Sequence, residues 1–498
     1  MASDVLVVGA GPTGLMAACE LLRRGVGVRV VDRAPRPVPY SKALLLWPRS
    51  LELLEDLGAL PAAREAGIPI RRFRYLSGRR RLADLVFDPA LVPLCLPQRE
   101  TERILSERFH ALGGTIERGV RLLALDGVNF SGDPLATDGV TAILEHADGS
   151  VERVQVPWLI GADGAGSAVR GQLGLGFSGS TYEVAFGLVD CRIDGDMETD
   201  VSYYFQSPAG AIVAAALPGG LFRFFASSTA GPPAGDLAAM QRVVDERGPV
   251  GVRLRDPVWE SVFRVHRRQA PSFQLGRVFL AGDAGHVHSP AGGQGLNTGL
   301  GDAHNLAWKL AAVVRGEAPA ALLDTYTAER HAVATQVVRD ADVQTRAWMV
   351  RGRAAVACRD LAFRGLGSSG VLRHYGPVLA GKRIRYPGGK APVGRLAPLT
   401  PARRAGAFPA GRPQEWLLLT GPAVAPADVR RVLRPGVRAV VATPRELPRR
   451  VDWLLVRPDH VIAAAGRAGS MTPATEVLDA LLRPTEQEGL DARCALQH

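Results

Sequence analysis

Three stretches of this chain run from an apolar strand into glycines and a carboxylate, a pattern that holds polar ligands. The longest reads Arg277-Val278-Phe279-Leu280-Ala281-Gly282-Asp283-Ala284-Gly285-His286, then Val287-His288-Ser289-Pro290-Ala291-Gly292-Gly293-Gln294-Gly295-Leu296-Asn297. A strand (Val278 to Ala281) delivers a carboxylate and a Gly- and Pro-rich loop follows. A helix then begins, whose Leu296, Leu300, Leu306, Leu310 and Val314 keep helical spacing. Glycine-lined backbone leading into a helix N-terminus suits a polar or anionic group, because the first-turn amides lack partners within the helix. The second stretch, Gly9-Ala10-Gly11-Pro12-Thr13-Gly14, follows the apolar strand Asp4 to Val8, and the next strand, Val28 to Val31, ends on Asp32. Gly9 permits the tight turn, Gly11 lets backbone approach a pyrophosphate, Gly14 lets helix and strand pack, and Asp32 is placed to accept from a ribose hydroxyl. The third, Trp158-Leu159-Ile160-Gly161-Ala162-Asp163-Gly164 through Arg170, repeats the theme before a helix near Ser167. Together these features predict dinucleotide binding, without distinguishing FAD from NAD.

These residues need a frame. Strand-helix-strand alternation around Gly9 predicts a parallel, Rossmann-like α/β unit. Ser41 to Gly58 reads as loop and then helix from Pro48, with Lys42 and Arg49 within reach of a ligand; a helix runs to Ala111 from near Gln98, which lies at a strand-helix junction. Arg71 to Val92 alternates polar and apolar residues, as strands of a second layer do. From Tyr182 to Val265, short strands (Val184 to Ile193, Val201 to Gln206, Gly210 to Leu217, Leu221 to Ser227) predict an inserted antiparallel sheet. Its aromatics Tyr203, Phe205, Phe222 and Phe224 are expected either in the core or walling a flat apolar ligand. Helices are expected over Ala303 to Arg315 and Leu322 to Arg353. Beyond a Pro-, Ala- and Arg-rich linker (Arg395 to Pro413), strands and helices alternate in a small α/β unit with no cluster of catalytic residue types.

Composition excludes several classes. The 498 residues allow about three domains. The net charge of +11 is almost all arginine, spread along the chain rather than gathered in a stripe, so nucleic-acid binding is not expected. Five scattered cysteines without a CxxC argue against a zinc site or disulfide framework and fit a reducing cytoplasm. The chain opens directly on a strand, which predicts no signal peptide. No apolar run approaches the roughly 20 residues of a membrane span. A cytoplasmic protein is expected.

Gly9 to Gly14, Gly161 to Arg170 and Ala281 to Asn297 resemble, in that order, the FAD, DG and GD motifs of class A flavoprotein monooxygenases, the relatives of p-hydroxybenzoate and phenol hydroxylases. Pro97-Gln98-x-x-Thr101-Glu102-Arg103 and the tail from Gly394 to Gly469 are similar to the branch that tailors aromatic polyketides. The resemblance implies a discontinuous FAD domain (1–73, 97–180, 268–385), a substrate-binding sheet domain (74–96, 181–267) and a C-terminal thioredoxin-like domain (390–498) without redox cysteines. It implies that Gly9, Gly11, Pro12, Thr13 and Gly14 hold the pyrophosphate of a tight, non-covalent FAD, with Asp32 and Arg33 at the adenosine end. Gln98 and Asp283, beside Gly282, would meet the ribityl chain, and Asp163 would line the cleft shared with NADPH or NADH. Pro290 and the amides of Gly293, Gly295, Leu296 and Asn297 would lie beside the isoalloxazine, and Pro290, Gly293 and Leu296 are the positions expected at the reacting ring. Departures fall at Lys42 (usually arginine), Leu44 or Leu45 (glycine), Trp47 (His or Gln) and Gly285 (alanine). Lys42 is expected to touch the cofactor and Trp47 the substrate.

The implied reaction is NAD(P)H-dependent hydroxylation of a polycyclic aromatic through a C4a-hydroperoxyflavin, with O2 and a small aromatic as partners, no metal, and homodimerisation open. His266, His286 and His288 are read as structural. Baeyer-Villiger insertion or dehydrogenation on the same scaffold, and a non-catalytic flavin or ligand binder, are the alternatives. A halogenase is not expected, since no Trp-x-Trp-x-Ile-Pro occurs.

Overall fold

Val5-Leu6-Val7-Val8 is apolar at every position, so a strand made from it leaves no face for water and must be covered on both sides. In the computed structural model, which describes residues 3–39, 43–131, 133, 136–227, 233–348, 350 and 352–482, it forms β1 (Val5–Val8), wholly buried. α1 (Pro12–Leu22) and α2 (Pro48–Leu57) both begin on a proline, whose fixed φ suits a first turn, and β2 (Val28–Asp32) lies between them. The chain then leaves as a hairpin, β3 (Arg72–Ser77) and β4 (Arg80–Val86). It returns through α3 (Gln98–Ala111), β5 (Ile116–Arg118) and β6 (Trp158–Gly161). A second excursion comprises β7 (Ser178–Asp194), β8 (Val201–Ser207), β9 (Gly210–Leu217), β10 (Leu221–Ser227), α4 (Leu237–Arg247) and β11 (Arg253–Gln269). The return is β12 (Gln274–Leu275), β13 (Val278–Leu280), β14 (His286–Val287) and three helices, α5 (Gly295–Val314), α6 (Asp324–Trp348) and α7 (Arg353–Ser368). A last unit holds β15 (Trp416–Thr420), α8 (Pro426–Val432), β16 (Val437–Val441), β17 (Trp453–Val456), β18 (Ile462–Gly466) and α9 (Thr472–Leu481).

The result is a mixed α/β fold. The first sheet runs β12-β13-β6-β1-β2-β5, parallel except at β12. Its register sets Val8 opposite both Gly161 and Val31, and Gly161 opposite Leu280. The carboxyl ends of β1, β6 and β13 therefore share one edge, the edge where ligands bind open α/β sheets. The second sheet runs β14-β11-β7-β10-β9-β8-β3-β4 and is antiparallel apart from β8 with β3. The third runs β16-β15-β17-β18.

One expectation needs correction, and one is settled between its two alternatives. The helix read from Leu322 to Arg353 is shorter, α6 alone (Asp324–Trp348), and Arg353 instead opens α7 behind Gly352 (φ 85°). The aromatics Tyr203, Phe205, Phe222 and Phe224 do not face a ligand space. They pack in a core with Met240 and Val244 of α4, which covers that face. Side chains alternate along a strand, so their neighbours Tyr204 and Phe225 point the other way. There they join Phe73, Tyr75, Phe186, Trp47, Ala291 and Trp348. The face turned to the Pro290 loop carries the adjacent set of aromatics.

Candidate active site

The three glycine-rich ends touch one another. Gly9 takes φ +108°, and a side chain there would strike the Ala162 carbonyl oxygen at 2.4 Å; at Gly14 it would strike the Gly9 carbonyl at 1.9 Å. Side chains at Gly282 and Gly299 would meet the Thr13 hydroxyl at 2.7 and 2.4 Å. Thr13 thus serves as the packing post between the first glycine turn and the Asp283 loop. Arg170 joins the other two: Nη1 donates to the Ala284 carbonyl at 2.8 Å and Nη2 to Ala165 at 2.9 Å, while its guanidinium lies over Phe177. Asp163 caps the short helix Ala168–Gln172, accepting from the amides of Ala168 (2.7 Å) and Val169 (3.2 Å) and from the Ser167 hydroxyl. Asp32 accepts from the amides of Ala10 and Ala34, each at 2.7 Å, so its first task is to fix the turn that carries Gly9 and Gly11.

A buried carboxylate that sequence reasoning missed holds the Asp283 loop. Asp302, fully buried on α5, accepts from the Gly282 amide (3.0 Å), His286 Nε2 (2.6 Å) and Arg330 Nε (2.6 Å). Burial alone would raise its pKa, but Arg330 and then His286 outweigh that and hold it below the usual carboxylate range. Arg330 also donates to the Thr298 carbonyl and the Tyr386 hydroxyl. Nothing local in the sequence marked the long-range partners of Asp302.

Asn297 clips a separate segment to the start of α5. Its Nδ2 donates to the carbonyls of Leu45 and Gly293, and its Oδ1 accepts from the Trp47 amide, all at 2.8 Å. The Trp47 indole donates to the Gly292 carbonyl at 2.9 Å, and its buried ring packs edge-on against Phe73 and Phe87. Trp47 is therefore a wall behind the Pro290 loop. Gly293 (φ +62°) lies against Leu45, and an added side chain would sit 3.2 Å from that leucine. Gly285 is explained likewise: a Cβ there would meet the Phe273 ring at 3.2 Å. His288 is half-buried beside Gly295 with Nδ1 on the Ser289 carbonyl, and desolvation pushes its pKa down to about 4, so the ring is neutral near pH 7. His266 Nδ1 pairs with the Thr181 hydroxyl, away from the loop.

The site fits a dinucleotide. Gly11 lies open: a Cβ there would meet nothing within 4 Å among the described residues, in contrast to its crowded neighbours Gly9 and Gly14. α1 and α5 start without a side-chain cap or an acidic residue in the first turn, leaving amides for an anionic ligand. Pro12 begins α1, Arg33 and Asp283 are exposed at the same sheet edge, and half-buried Gln98 opens α3 with its amide on Ala43. Pro290 is exposed, and Gly293, Gly295 and Leu296 are half-buried. Lys42 lies outside the described residues. A cavity of about 470 Å³ near Gly78, Ser207 and Arg247 contains none of these residues. Among the described residues no three His, Cys, Asp or Glu could hold a metal, and no helix is long and apolar enough to cross a membrane.

Comparison with known proteins agrees with this geometry. Residues 2–341 match the FAD binding domain family. The chain is 35% identical to the 6-methylpretetramide 4-monooxygenase of Streptomyces rimosus, over 96% of this chain and 93% of that protein. It is 40% identical to a flavin-dependent monooxygenase of Mycobacteroides abscessus, over 67% of this chain and 72% of that one. The solved structure of the anhydrotetracycline hydroxylase OxyS from Streptomyces rimosus superposes with a TM-score of 0.78 at 30% identity, covering 97% of this chain and all of that one. With the three motif loops meeting at one sheet edge, the chain belongs to the FAD binding domain family and is an FAD-dependent monooxygenase of the aromatic hydroxylase type.

Proposed function

We propose that this enzyme hydroxylates a planar, polycyclic, polyketide-type phenol at the expense of NADPH or NADH. The observation that carries the reading is the aromatic face of the second sheet (Tyr204, Phe225, Phe186), set against the loop that leads into α5. Residues 1–73, 97–180 and 268–385 hold the cofactor, 74–96 and 181–267 face the substrate, and the thioredoxin-like unit, 390–498, lacks redox cysteines. FAD, when bound, supplies the two-electron exchange with nicotinamide and the activation of O2.

The chain's own residues bind, orient and exclude water. Gly11 and the amide end of α1 receive the pyrophosphate, with Thr13 behind them; Asp32 and Arg33 take the adenosine end, and Gln98, Gly282 and Asp283 the ribityl chain. Asp163 shapes the cleft that a transiently docked nicotinamide dinucleotide enters. The amides of Gly293 to Asn297, at the positive end of α5, favour negative charge on the ring edge they meet. Pro290, Gly293 and Leu296 line the reacting face. Asn297 keeps that loop and the Leu45 to Trp47 segment in one arrangement. Aerobic NADPH oxidation by the holoenzyme should accelerate with a polycyclic phenol such as anhydrotetracycline and yield a product 16 Da heavier; no acceleration and no such product across a phenol panel would refute hydroxylation.

A further inference from the structure

The row of aromatics that starts at the Pro290 loop ends on two polar side chains that carry buried atoms with no hydrogen-bond partner among the described residues. Thr345 on α6 donates to the Ser289 hydroxyl at 2.6 Å, and Trp348, one turn on, packs at 5.7 Å from Tyr204. Tyr204 stacks on Tyr75 at 5.0 Å, and Tyr75 meets Phe363 of α7 at 5.1 Å. Two residues further along β8 is Gln206, about 7 Å beyond Tyr204 by strand geometry and on the same face. Gln206 is fully buried, yet neither its Nε2 nor its Oε1 has a hydrogen-bond partner among the described residues. Its register partner on β3 is Ser77, whose hydroxyl lies 3.4 Å from Arg359 Nη2. Arg359 is the single buried residue of α7; its Nε and Nη2 meet Asp360 Oδ1 at 3.1 and 2.8 Å, and its Nη1 has no hydrogen-bond partner among the described residues.

Buried polar atoms without partners are rare because they lose water and gain nothing in return. Here two side chains from different elements carry such atoms, and both neighbour Ser77, at the far end of an aromatic row. We propose that Gln206 and Arg359 form a recognition subsite for the oxygen-bearing end of the substrate, remote from the carbon that is hydroxylated. The inference rests on the reading of this face as the substrate face. Gln206 Nε2 and Arg359 Nη1 offer donors and Gln206 Oε1 offers an acceptor. That set complements a hydroxyl beside a carbonyl on a fused ring, as in a phenol peri to a quinone or an enolised diketone. α7, exposed along most of its outer side, closes over that end and brings Arg359 and Phe363 with it. Gln206 and Arg359 are thereby specificity-determining residues.

The test uses FAD-loaded enzyme titrated with 1-hydroxyanthraquinone and its 1-methoxy analogue, read by the change in flavin absorbance. In the wild type the hydroxyl probe should bind about tenfold tighter than the methoxy probe, the worth of one buried hydrogen bond. Gln206→Leu should weaken the hydroxyl probe by about that factor and abolish the preference. FAD affinity should stay unchanged, and the ligand-free melting temperature should hold or rise, because the orphaned amide is gone. Arg359→Met, on the outer helix, should also narrow the preference. Equal affinities in wild type and Gln206→Leu, or a loss shared equally by both probes, would overturn the subsite. Wild-type enzyme that binds neither probe, and whose NADPH oxidation no aromatic stimulates, would instead refute the substrate reading, and the subsite with it.

Discussion

At the scale of single residues, the buried Asp302 carboxylate ties together a backbone amide and an imidazole of the Asp283 loop and a guanidinium of α6. Removing one partner of a buried ionic cluster leaves the others charged or unpaired, which costs about 3–5 kcal/mol. Asp302→Ala should lower the unfolding free energy of the apoprotein by about that amount. It should also weaken FAD binding, measured by recovery of flavin fluorescence, because Gly282 and Asp283 lose their anchor. The folded pKa is depressed below the unfolded value, so the stabilisation is fully present above about pH 4 and is lost as pH falls through the folded value. Wild type and Asp302→Ala should therefore converge in stability toward acid. A variant that unfolded normally but kept wild-type FAD affinity would show that Asp302 supports the fold without positioning the loop.

At the scale of elements, the strand-turn-helix unit around Gly9 to Gly14 separates structural from binding glycines. A Cβ at Gly14 would overlap the Gly9 carbonyl at 1.9 Å, so Gly14→Ala should destabilise the apoprotein by about 1–3 kcal/mol. A Cβ at Gly11 meets nothing, so Gly11→Val should leave apoprotein melting within a degree or two (about 0.5 kcal/mol) and abolish yellow colour on reconstitution. If Gly11→Val took up FAD normally, the pyrophosphate would have to lie elsewhere. This division was legible in the sequence, because local rules of turn and helix start dictate it. The same holds for β15 and β17, matched residue for residue by their apolar runs. What was not legible came from distant packing. The aromatic stretches of β8 and β10 alternate symmetrically, and only the docking of α4 decides that Tyr204 and Phe225, rather than Tyr203 and Phe224, face the loop. Likewise the indole of Trp47 finds its partner 245 residues away, at Gly292.

At the scale of the whole molecule, the last unit is bolted to the cofactor-binding part through buried charge. Asn305 on α5 donates to Glu329 of α6 (2.8 Å), to the Tyr386 hydroxyl (3.1 Å) and to Asp459 of the β17-β18 turn (3.0 Å). Tyr386 in turn accepts from Arg330, so a continuous polar path runs from that turn to Asp302 and the Gly282 amide. A second contact sets His460 of the same turn against α2: Arg49 Nη1 lies 2.8 Å from its Nδ1, and Asp56 Oδ2 3.3 Å from its Nε2. Burial pushes the Asp56 carboxyl up to about 7; Arg49 and Arg23 oppose the rise, and Glu20 and Glu52 add to it. A carboxyl whose folded pKa is raised contributes stability that is complete below its unfolded value, near pH 4, and is lost as pH climbs through the folded value. Asp56→Asn keeps the neutral shape at every pH. The stability of the variant relative to wild type should therefore grow from about pH 4 to about pH 7 and level off above, measured by chemical denaturation across the range. A constant difference would mean that Asp56 is ionised in the fold throughout, its charge met by Arg403, whose Nη2 lies 3.8 Å from Asp56 Oδ1. The seam between the last unit and the cofactor-binding part would then be a fixed ion cluster rather than a titrating one.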